Sequence, residues 1–219
     1  MFSLEEFKKE HETDTSELSI RGKRFRFLLP RFIEPYVDRN DALQDFPLWA
    51  KVWEASLVLA DYLAGIPADP DTPILEIGCG AGVVGIVASA FGHRVTMMEY
   101  DALAVQFATA NAHLNLPDEN RRPLVLTTDW NVPEVVESPF PLIVGSEVVY
   151  SRKNFDPLFR LFEHLLAPGG RIVLCEGMRE TSMAFFQEAR AYYRVRARKK
   201  ALRSPGKEIH IVLAEMTLV

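Results

Sequence analysis

The spacing of apolar residues along the chain predicts alternating strands and helices. Compact apolar runs bounded by turn residues predict strands at 74–77, 94–98, 124–127, 142–145 and 171–176. Stretches in which apolar residues recur three or four positions apart predict helices at 49–63, 83–90, 102–115, 155–166 and 181–191. Strands that alternate with helices indicate an α/β fold, in which a mostly parallel sheet carries helices on both faces.

The two ends of the chain follow a different pattern. Residues 20–29 alternate with period two and predict a strand or hairpin, whereas the polar residues 1–18 are consistent with a frayed amphipathic helix. We therefore assign 1–48 to an N-terminal extension and 49–219 to the main domain. Near the C-terminus, 193–201 and 209–218 are alternating segments joined by Ser204-Pro205-Gly206. That turn is too short for a helical crossover, so one of these strands must run antiparallel.

Composition narrows the class of protein. The chain has 219 residues, of which 48% are hydrophobic and 25% charged, and this balance is typical of a globular protein. Cys79 and Cys175 form no CxxC pattern and the histidines show no ligand spacing, so we predict no disulfide framework and no metal. The sequence contains no signal-peptide core and no apolar run of about 20 residues, so we predict a cytoplasmic protein without a membrane partner. A net charge of −5 argues against a general nucleic-acid binder.

The strongest local signal is a glycine-rich loop at 75–82, which reads LEIGCGAG and lies between a predicted strand and a predicted helix. Glycines allow a ligand to approach the backbone closely, and a helix N-terminus offers unpaired N–H groups. We predict cofactor contacts from Gly78, Cys79, Gly80 and Gly82, with Cys79 acting through its backbone. Together with Gly85 the loop also satisfies GxGxxG, so by itself it does not separate NAD from another adenosine cofactor.

Acidic and aromatic residues near the strand ends help to choose between these cofactors. Glu76 precedes the first glycine by two residues, and its charge suits a cationic ligand but repels a pyrophosphate. Glu99 ends the second predicted strand, where an acid can accept hydrogen bonds from ribose hydroxyls. Asp129 and Trp130 follow the third strand, where a carboxylate and an aromatic ring could bind and stack an adenine.

Together with Pro168-Gly169-Gly170, these residues resemble the seven-β-strand, class I S-adenosylmethionine-dependent methyltransferases over 49–219. The resemblance implies S-adenosylmethionine as cofactor and a Rossmann-like, mostly parallel sheet of order 3-2-1-4-5-7-6 that ends in an antiparallel hairpin. It also implies that Glu76 lies near the methionine amino group, that Glu99 holds the ribose and that Asp129 faces the adenine. We add Tyr100 and Ser146 to the predicted cofactor contacts, since each adjoins a strand end.

A narrower resemblance is to the lysine methyltransferase group of that class. It rests on the acid-x-x-aromatic motif Glu147-Val148-Val149-Tyr150 after the fourth strand, and on a tryptophan-containing segment around Trp53 before the glycine loop. It implies that Trp53 covers the cofactor and that Glu147 and Tyr150 are catalytic. The implied acceptor is a protein lysine, and a small-molecule amine remains an alternative.

The chemistry of the acceptor limits what Glu147 can do. A lysine amine has a pKa of about 10.4 and must lose a proton before it attacks a methyl group, whereas a nearby carboxylate favours its charged form. We therefore expect Glu147 to recruit and orient the amine rather than to act as a strong base, and Tyr150 to form a wall of the pocket. An NAD-dependent oxidoreductase is disfavoured by Glu76 and by the lack of a Tyr-x-x-x-Lys pattern, and a non-catalytic scaffold is disfavoured by the intact motif.

One basic segment is not explained by this chemistry. Residues 190–203 contain seven basic residues and no acid. The segment could bind an acidic protein or a nucleic-acid phosphate, or it could protect an edge hairpin from aggregation. The negative net charge of the chain favours the protective role.

Overall fold

Helices and strands alternate through the described residues of the computed structural model, which are 2–37, 47–69, 71–131, 139–204 and 207–219. In chain order the elements are α1 (Leu4–Glu10), β1 (Thr13–Ile20), β2 (Lys23–Pro30), α2 (Glu54–Gly65), β3 (Ile74–Ile77), α3 (Val83–Ala90), β4 (Val95–Glu99), α4 (Ala102–Asn115), β5 (Leu124–Thr127), β6 (Phe140–Ser146), α5 (Phe155–Leu165), β7 (Leu166–Gly177), α6 (Glu180–Ala189), β8 (Tyr193–Ser204) and β9 (Lys207–Leu218). None of these helices is long and apolar enough to cross a bilayer.

Seven strands form the main sheet, in the order β5-β4-β3-β6-β7-β9-β8. The strands from β3 to β7 are parallel, and β9 runs antiparallel to both β7 and β8. Counted from β3, this is the order 3-2-1-4-5-7-6 with a C-terminal antiparallel hairpin, so the predicted fold class is confirmed. The strand order reverses between β3 and β6, and in open α/β sheets such a switch point leaves a crevice at the carboxyl ends of the strands.

The sheet is buried because helices cover both of its faces. Leu59 of α2 and Ile86 of α3 belong to the apolar cluster on one face, and Phe162 of α5 and Phe185 of α6 belong to the cluster on the other. Each such side chain is fully buried, and each contributes about 1.5–3 kcal/mol relative to an exposed position. These two clusters hold the carboxyl ends of the central strands in fixed positions.

The N-terminal hairpin of β1 and β2 lies against α4 and shares the core of the main sheet. Its turn is Arg21-Gly22, and both residues have positive φ (46° and 81°), as a tight hairpin requires. Phe25 and Phe27 of β2 are buried in the same cluster as α2 and α3. The helical expectation for residues 1–18 holds only for α1 and is wrong from Thr13 onward. Residues 13–20 carry little apolar signal of their own and become a strand through pairing with β2.

The starts of two other elements differ from the predictions by five residues each. The helix predicted at 49–63 begins only at Glu54, because Trp49 and Trp53 each use the indole N–H in a hydrogen bond that holds the preceding segment outside the helix. β7 begins at Leu166 rather than 171, since Leu166 pairs with Phe140 before a register shift restores regular pairing. Pro205 and Gly206 of the predicted turn lie outside the described residues.

Candidate functional site

A cavity of about 600 Å³ opens at the carboxyl ends of β3, β4 and β6. This is the switch point of the sheet, and the volume is typical of a small-molecule site. Its walls come from the loop after β3, the ends of β4 and β6, the N-terminal end of α2 and the segment before it. Of the predicted site residues, it brings together Trp53, Gly78, Cys79, Gly80, Glu99, Tyr100, Trp130, Ser146, Glu147 and Tyr150. Glu76, Gly82 and Asp129 lie outside this lining.

The glycine loop divides into a part that faces the cavity and a part that packs inside the protein. Gly78 and Gly80 both have positive φ (61° and 52°) and line the cavity. A Cβ on Gly80 would come within 3.3 Å of Trp49 Cβ, so only glycine leaves this wall open. Gly82 and Gly85 instead face the protein interior, where a Cβ on Gly85 would lie 2.5 Å from Glu76 Oε2. The last two glycines of the GxGxxG pattern therefore serve packing.

Of the two acids near the ends of β3 and β4, Glu99 is the one that faces the cavity. Its Oε2 accepts the Gly80 N–H at 2.9 Å, and its Oε1 accepts the N–H groups of Tyr100 and Asp101 at 2.9 and 3.2 Å. Burial raises the pKa of Glu99, and these three backbone donors oppose the rise. A carboxylate offers about four lone-pair sites, so the side chain keeps capacity for a ligand hydroxyl.

Glu76 is buried beneath the glycine loop rather than exposed to the cavity. It is 1% exposed, and its Oε2 has no hydrogen-bond partner among the described residues. Burial raises the pKa of Glu76 to about 8, although the backbone N–H of Gly85 opposes the rise. At neutral pH this side chain is therefore mostly protonated and does not offer the negative charge on which the sequence argument relied. A contact with a methionine amino group stays a prediction.

Aromatic rings cover two sides of the cavity. Trp53 caps the N-terminus of α2, donates its indole N–H to the Leu48 carbonyl at 2.7 Å and carries the Lys51 ammonium 4.5 Å from its ring centroid. Trp130 lines the cavity beside the glycine loop, where a Cβ on Gly78 would come within 3.5 Å of its ring. Asp129 lies outside the cavity lining, and its Oδ1 accepts both the backbone and the side-chain N–H groups of Asn131.

The cavity also contains residues that the sequence did not single out. The Trp49 indole donates to Asp101 Oδ2 at 2.7 Å, and this bond joins the segment before α2 to the start of α4. The hydroxyls of Ser56 on α2 and Ser146 on β6 lie 2.9 Å apart. Tyr36 and Thr128 are among the other lining residues that the sequence did not single out. Their spacing in the sequence gives no signal, since tertiary contacts alone bring them together.

The acid-x-x-Tyr motif lies at the end of β6, at one side of the cavity. Glu147 has φ +56°, a left-handed conformation that costs a residue with a side chain of the order of 1 kcal/mol or more. Its Oε1 accepts the Gly177 N–H at 2.9 Å, which fixes the carboxylate across the ends of β6 and β7. Tyr150 lines the cavity and is 41% exposed. Strained residues of this kind cluster at functional sites, which supports the prediction for Glu147.

Two further charged residues surround Glu147. The Arg179 guanidinium donates to Glu147 Oε2, and its Nη2 also lies 3.5 Å from Glu176 Oε2. Glu176 is fully buried, and its Oε1 accepts the N–H groups of Val148 and Val149 at 2.9 and 3.2 Å. Burial, followed by the charge of Glu147, raises the pKa of Glu176 to about 8. Arg179 lies 32 positions from Glu147, and nothing in the sequence pattern marks it as a site residue.

Comparisons with known proteins agree with this geometry. A family model with the description lysine methyltransferase matches residues 40–191. Protein N-lysine methyltransferase METTL21A from Danio rerio is 33% identical over 152 residues, which cover 67% of this chain and 69% of that protein. EEF1A lysine methyltransferase 3 from Mus musculus is 33% identical over 132 residues, covering 59% of this chain and 56% of that protein.

Solved structures share the fold at lower identity. A SAM-dependent methyltransferase from Agrobacterium tumefaciens superposes with a TM-score of 0.66 at 19% identity, covering 92% of this chain and 69% of that one. TYW2 from P. horikoshii, in complex with MeSAdo, gives a TM-score of 0.59 at 16% identity, covering 93% of this chain and 71% of that one. Together with the family match, these structures identify the cofactor class as S-adenosylmethionine rather than NAD.

Proposed function

Because the chain belongs to the lysine methyltransferase family, we propose that this S-adenosylmethionine-dependent methyltransferase acts on the side-chain amine of a lysine in a protein. The observation that carries the acceptor assignment is the strained carboxylate of Glu147 in the cavity wall, already paired with a cation. A carboxylate in that position suits an amine, which carries positive charge before transfer.

The residues present fit the cofactor. When bound, S-adenosylmethionine would supply the methyl group: its carbon–sulfur bond breaks with the electron pair kept by sulfur, and the lone pair of an amine that has first lost a proton to solvent forms the nitrogen–carbon bond. The open backbone of Gly78 and Gly80 would accommodate the methionyl part, and Glu99 would accept hydrogen bonds from the ribose hydroxyls. The Trp130 ring would stack on the adenine, and Trp53 would cover the cofactor and exclude water.

The protein's own contribution to transfer is mainly positioning. Glu147 would bind and orient the acceptor nitrogen, and Tyr150 would form the wall beside it and offer a hydrogen bond or a cation–π face. Correct orientation of the two reacting groups can supply most of the acceleration when the leaving group is already good. Methyl transfer that depends on positioning in this way requires no strong general base.

The experiment that tests the proposal is transfer of a radioactive methyl group from S-adenosylmethionine into a cell extract. The enzyme is incubated with the extract, labelled proteins are separated, and the modified residue is identified by mass spectrometry; the same extract without enzyme is the control. We expect label at a lysine of one or a few proteins. Label confined to small solutes would instead favour a small-molecule amine, and label on another residue type would contradict the proposal.

We also propose a cytoplasmic location. Cys79 and Cys175 are both buried free thiols, which suits a reducing compartment. Fluorescence microscopy of a tagged chain would test this, and a signal confined to the secretory pathway would contradict it.

A further inference from the structure

The cation site at Glu147 is already filled by the protein itself. Arg179 donates to Glu147 Oε2, while Oε1 is held by the Gly177 backbone. An acceptor ammonium that approaches Oε2, the oxygen not held by the backbone, must either share it with the guanidinium or displace the guanidinium. Sharing would place two cations on one oxygen, next to a cavity that fits a third cation, the sulfonium, so electrostatic repulsion favours displacement.

The side chain of Arg179 can leave without moving the backbone. The residue caps the N-terminus of α6, where its N–H donates to the Ser182 hydroxyl at 3.1 Å and the same hydroxyl donates to the Gly177 carbonyl at 2.6 Å. The guanidinium end lies at the cavity wall and its side chain is 43% exposed, compared with 13% for Glu147. Solvent is therefore available to the guanidinium once it is displaced.

The charge balance of the cluster also favours exchange. With its raised pKa, Glu176 is largely neutral at pH 7, so Glu147 and Arg179 form a balanced pair of charges. An ammonium added to this pair would leave an excess positive charge, whereas an ammonium that replaces Arg179 restores the balance. The buried Glu176 carboxyl would stay in place, because its Oε1 is held by two backbone N–H groups.

We infer that Arg179 is an exchangeable internal cation, which fills the ammonium subsite formed by Glu147 and gives it up to the acceptor lysine. The inference rests on the proposed function and makes Arg179 a residue that sets specificity. A small-molecule amine has only the binding energy of its own contact with Glu147 with which to displace the guanidinium. A lysine within a protein brings binding energy from the rest of the interface, so the exchange favours protein acceptors over small amines.

The first test measures n-butylammonium, which has the chemistry of a lysine side chain, by calorimetric titration in the presence of S-adenosylhomocysteine. We expect Arg179→Gln to bind it about tenfold more tightly than the wild type, since a charge-assisted contact of about 1.4 kcal/mol no longer has to be broken. Arg179→Lys keeps a cation beside Glu147 and should resemble the wild type. The gain should vanish in the double variant Glu147→Gln/Arg179→Gln.

The second test follows the wild-type protein and uses the conservative variant Arg179→Lys only to assign one resonance. The Nε–H resonance of Arg179, assigned by its absence from Arg179→Lys, should move during titration with n-butylammonium as the ion pair opens. Unchanged or weaker n-butylammonium affinity in Arg179→Gln, or an unmoved Nε–H resonance, would overturn the inference. Neither measurement requires methyl transfer, so failure of the proposed function would appear separately, as an absence of labelled lysine in extracts.

Discussion

At the scale of single residues, the environment decides which of the similar acids can act on a ligand. Glu76 lies one residue before the end of β3, and Glu99 ends the adjacent parallel strand β4. Of the two, only Glu99 lines the cavity, with three backbone donors on its carboxylate. Glu76 lies behind the loop without a partner for Oε2. Glu147 and Glu176 form a similar pair, in which one carboxylate reaches the cavity and the other supports the backbone of the motif. Residue type and spacing predicted Glu76, Glu99 and Glu147 as site residues but not this division.

Removing the Glu147 carboxylate should abolish transfer and spare the cofactor site. We expect Glu147→Ala to lower methyl transfer by at least about 100-fold, because an acceptor that is no longer oriented rarely meets the methyl group. Affinity for S-adenosylhomocysteine, measured by calorimetry, should be nearly unchanged. Glu180→Ala, which removes an exposed acid of α6 outside the cavity lining, is the matched control and should behave as the wild type. Normal turnover in Glu147→Ala would remove Glu147 from the site.

Glu76 should make stability depend on pH. Its pKa is about 8 in the folded protein and near its ordinary value of 4.5 when unfolded, so between these values the folded state binds more protons. Stability contributed by this group is therefore complete below about pH 4.5 and is lost as pH rises through about 8.

Glu76→Gln does not titrate and provides the comparison. We expect the Tm of Glu76→Gln, relative to that of the wild type, to rise by at least about 2 °C between pH 5.5 and pH 8.5. A change of about 1 kcal/mol in the free energy of unfolding shifts the Tm of a chain of this length by about that amount. Scanning calorimetry across that range would measure it. A constant difference between the two proteins would mean that Glu76 does not change its protonation in this window.

At the scale of elements, the sequence predicted well those helices, strands and loops whose conformation is specified by their own local pattern of apolar residues and glycines. β3, the glycine loop and α3 are consecutive, and their apolar runs and glycines predicted all three. β1 was missed because its side chains are mostly polar and its conformation comes from the partner strand. Arg179 was missed for a related reason, since no sequence pattern shows that α6 begins opposite the end of β6.

The contact between the N-terminal hairpin and α4 depends on one buried amide. Asn111 accepts the Leu28 N–H at 2.7 Å and donates to the carbonyls of Leu28 and Ala81, so it joins the hairpin, the helix and the glycine loop. Asn115, one turn later, makes a similar bidentate contact with the Arg26 backbone but is more exposed. Water can replace the partners of Asn115 more readily than those of Asn111.

Asn111→Ala should therefore destabilise the fold by about 3 kcal/mol, because it leaves buried backbone groups unpaired. We expect Asn115→Ala to cost less than about 1 kcal/mol. Urea unfolding followed by circular dichroism would compare them. Since Ala81 belongs to the glycine loop and lines the cavity, Asn111→Ala should also weaken S-adenosylhomocysteine binding. Equal effects of the two substitutions would contradict this role.

At the scale of the whole molecule, the cavity is assembled from both assigned regions of the chain. Tyr36 and Trp49 form one wall with the glycine loop, and their rings pack together 5.9 Å apart. Trp49 also packs on Phe107 of α4, 5.0 Å away, in a group of rings that reaches Phe7 of α1. The N-terminal extension is thus continuous with the core that positions the cofactor loop.

Truncation should show how far the domain at 49–219 depends on this extension. A chain beginning at residue 49 loses the buried Ile20, Phe25 and Phe27, so we expect a much lower Tm and no measurable S-adenosylhomocysteine binding. A chain beginning at residue 12 loses α1, with its one buried residue Phe7, and should keep most of both properties. Thermal unfolding with and without S-adenosylhomocysteine would measure the two fragments. Wild-type binding by the 49–219 fragment would establish it as an independent domain.

The outer strand of the sheet has a consequence for how the protein behaves at high concentration. β8 lies at the end of the sheet and carries the exposed Arg194, Arg196 and Arg198 on one face. Two molecules that met strand to strand would bring rows of guanidinium groups together, and mutual repulsion would hold them apart. Electrostatic repulsion reaches about 10 Å at 0.1 M salt but only about 3 Å at 1 M. A high salt concentration should therefore promote self-association through this strand, whereas a low salt concentration should keep the molecules separate.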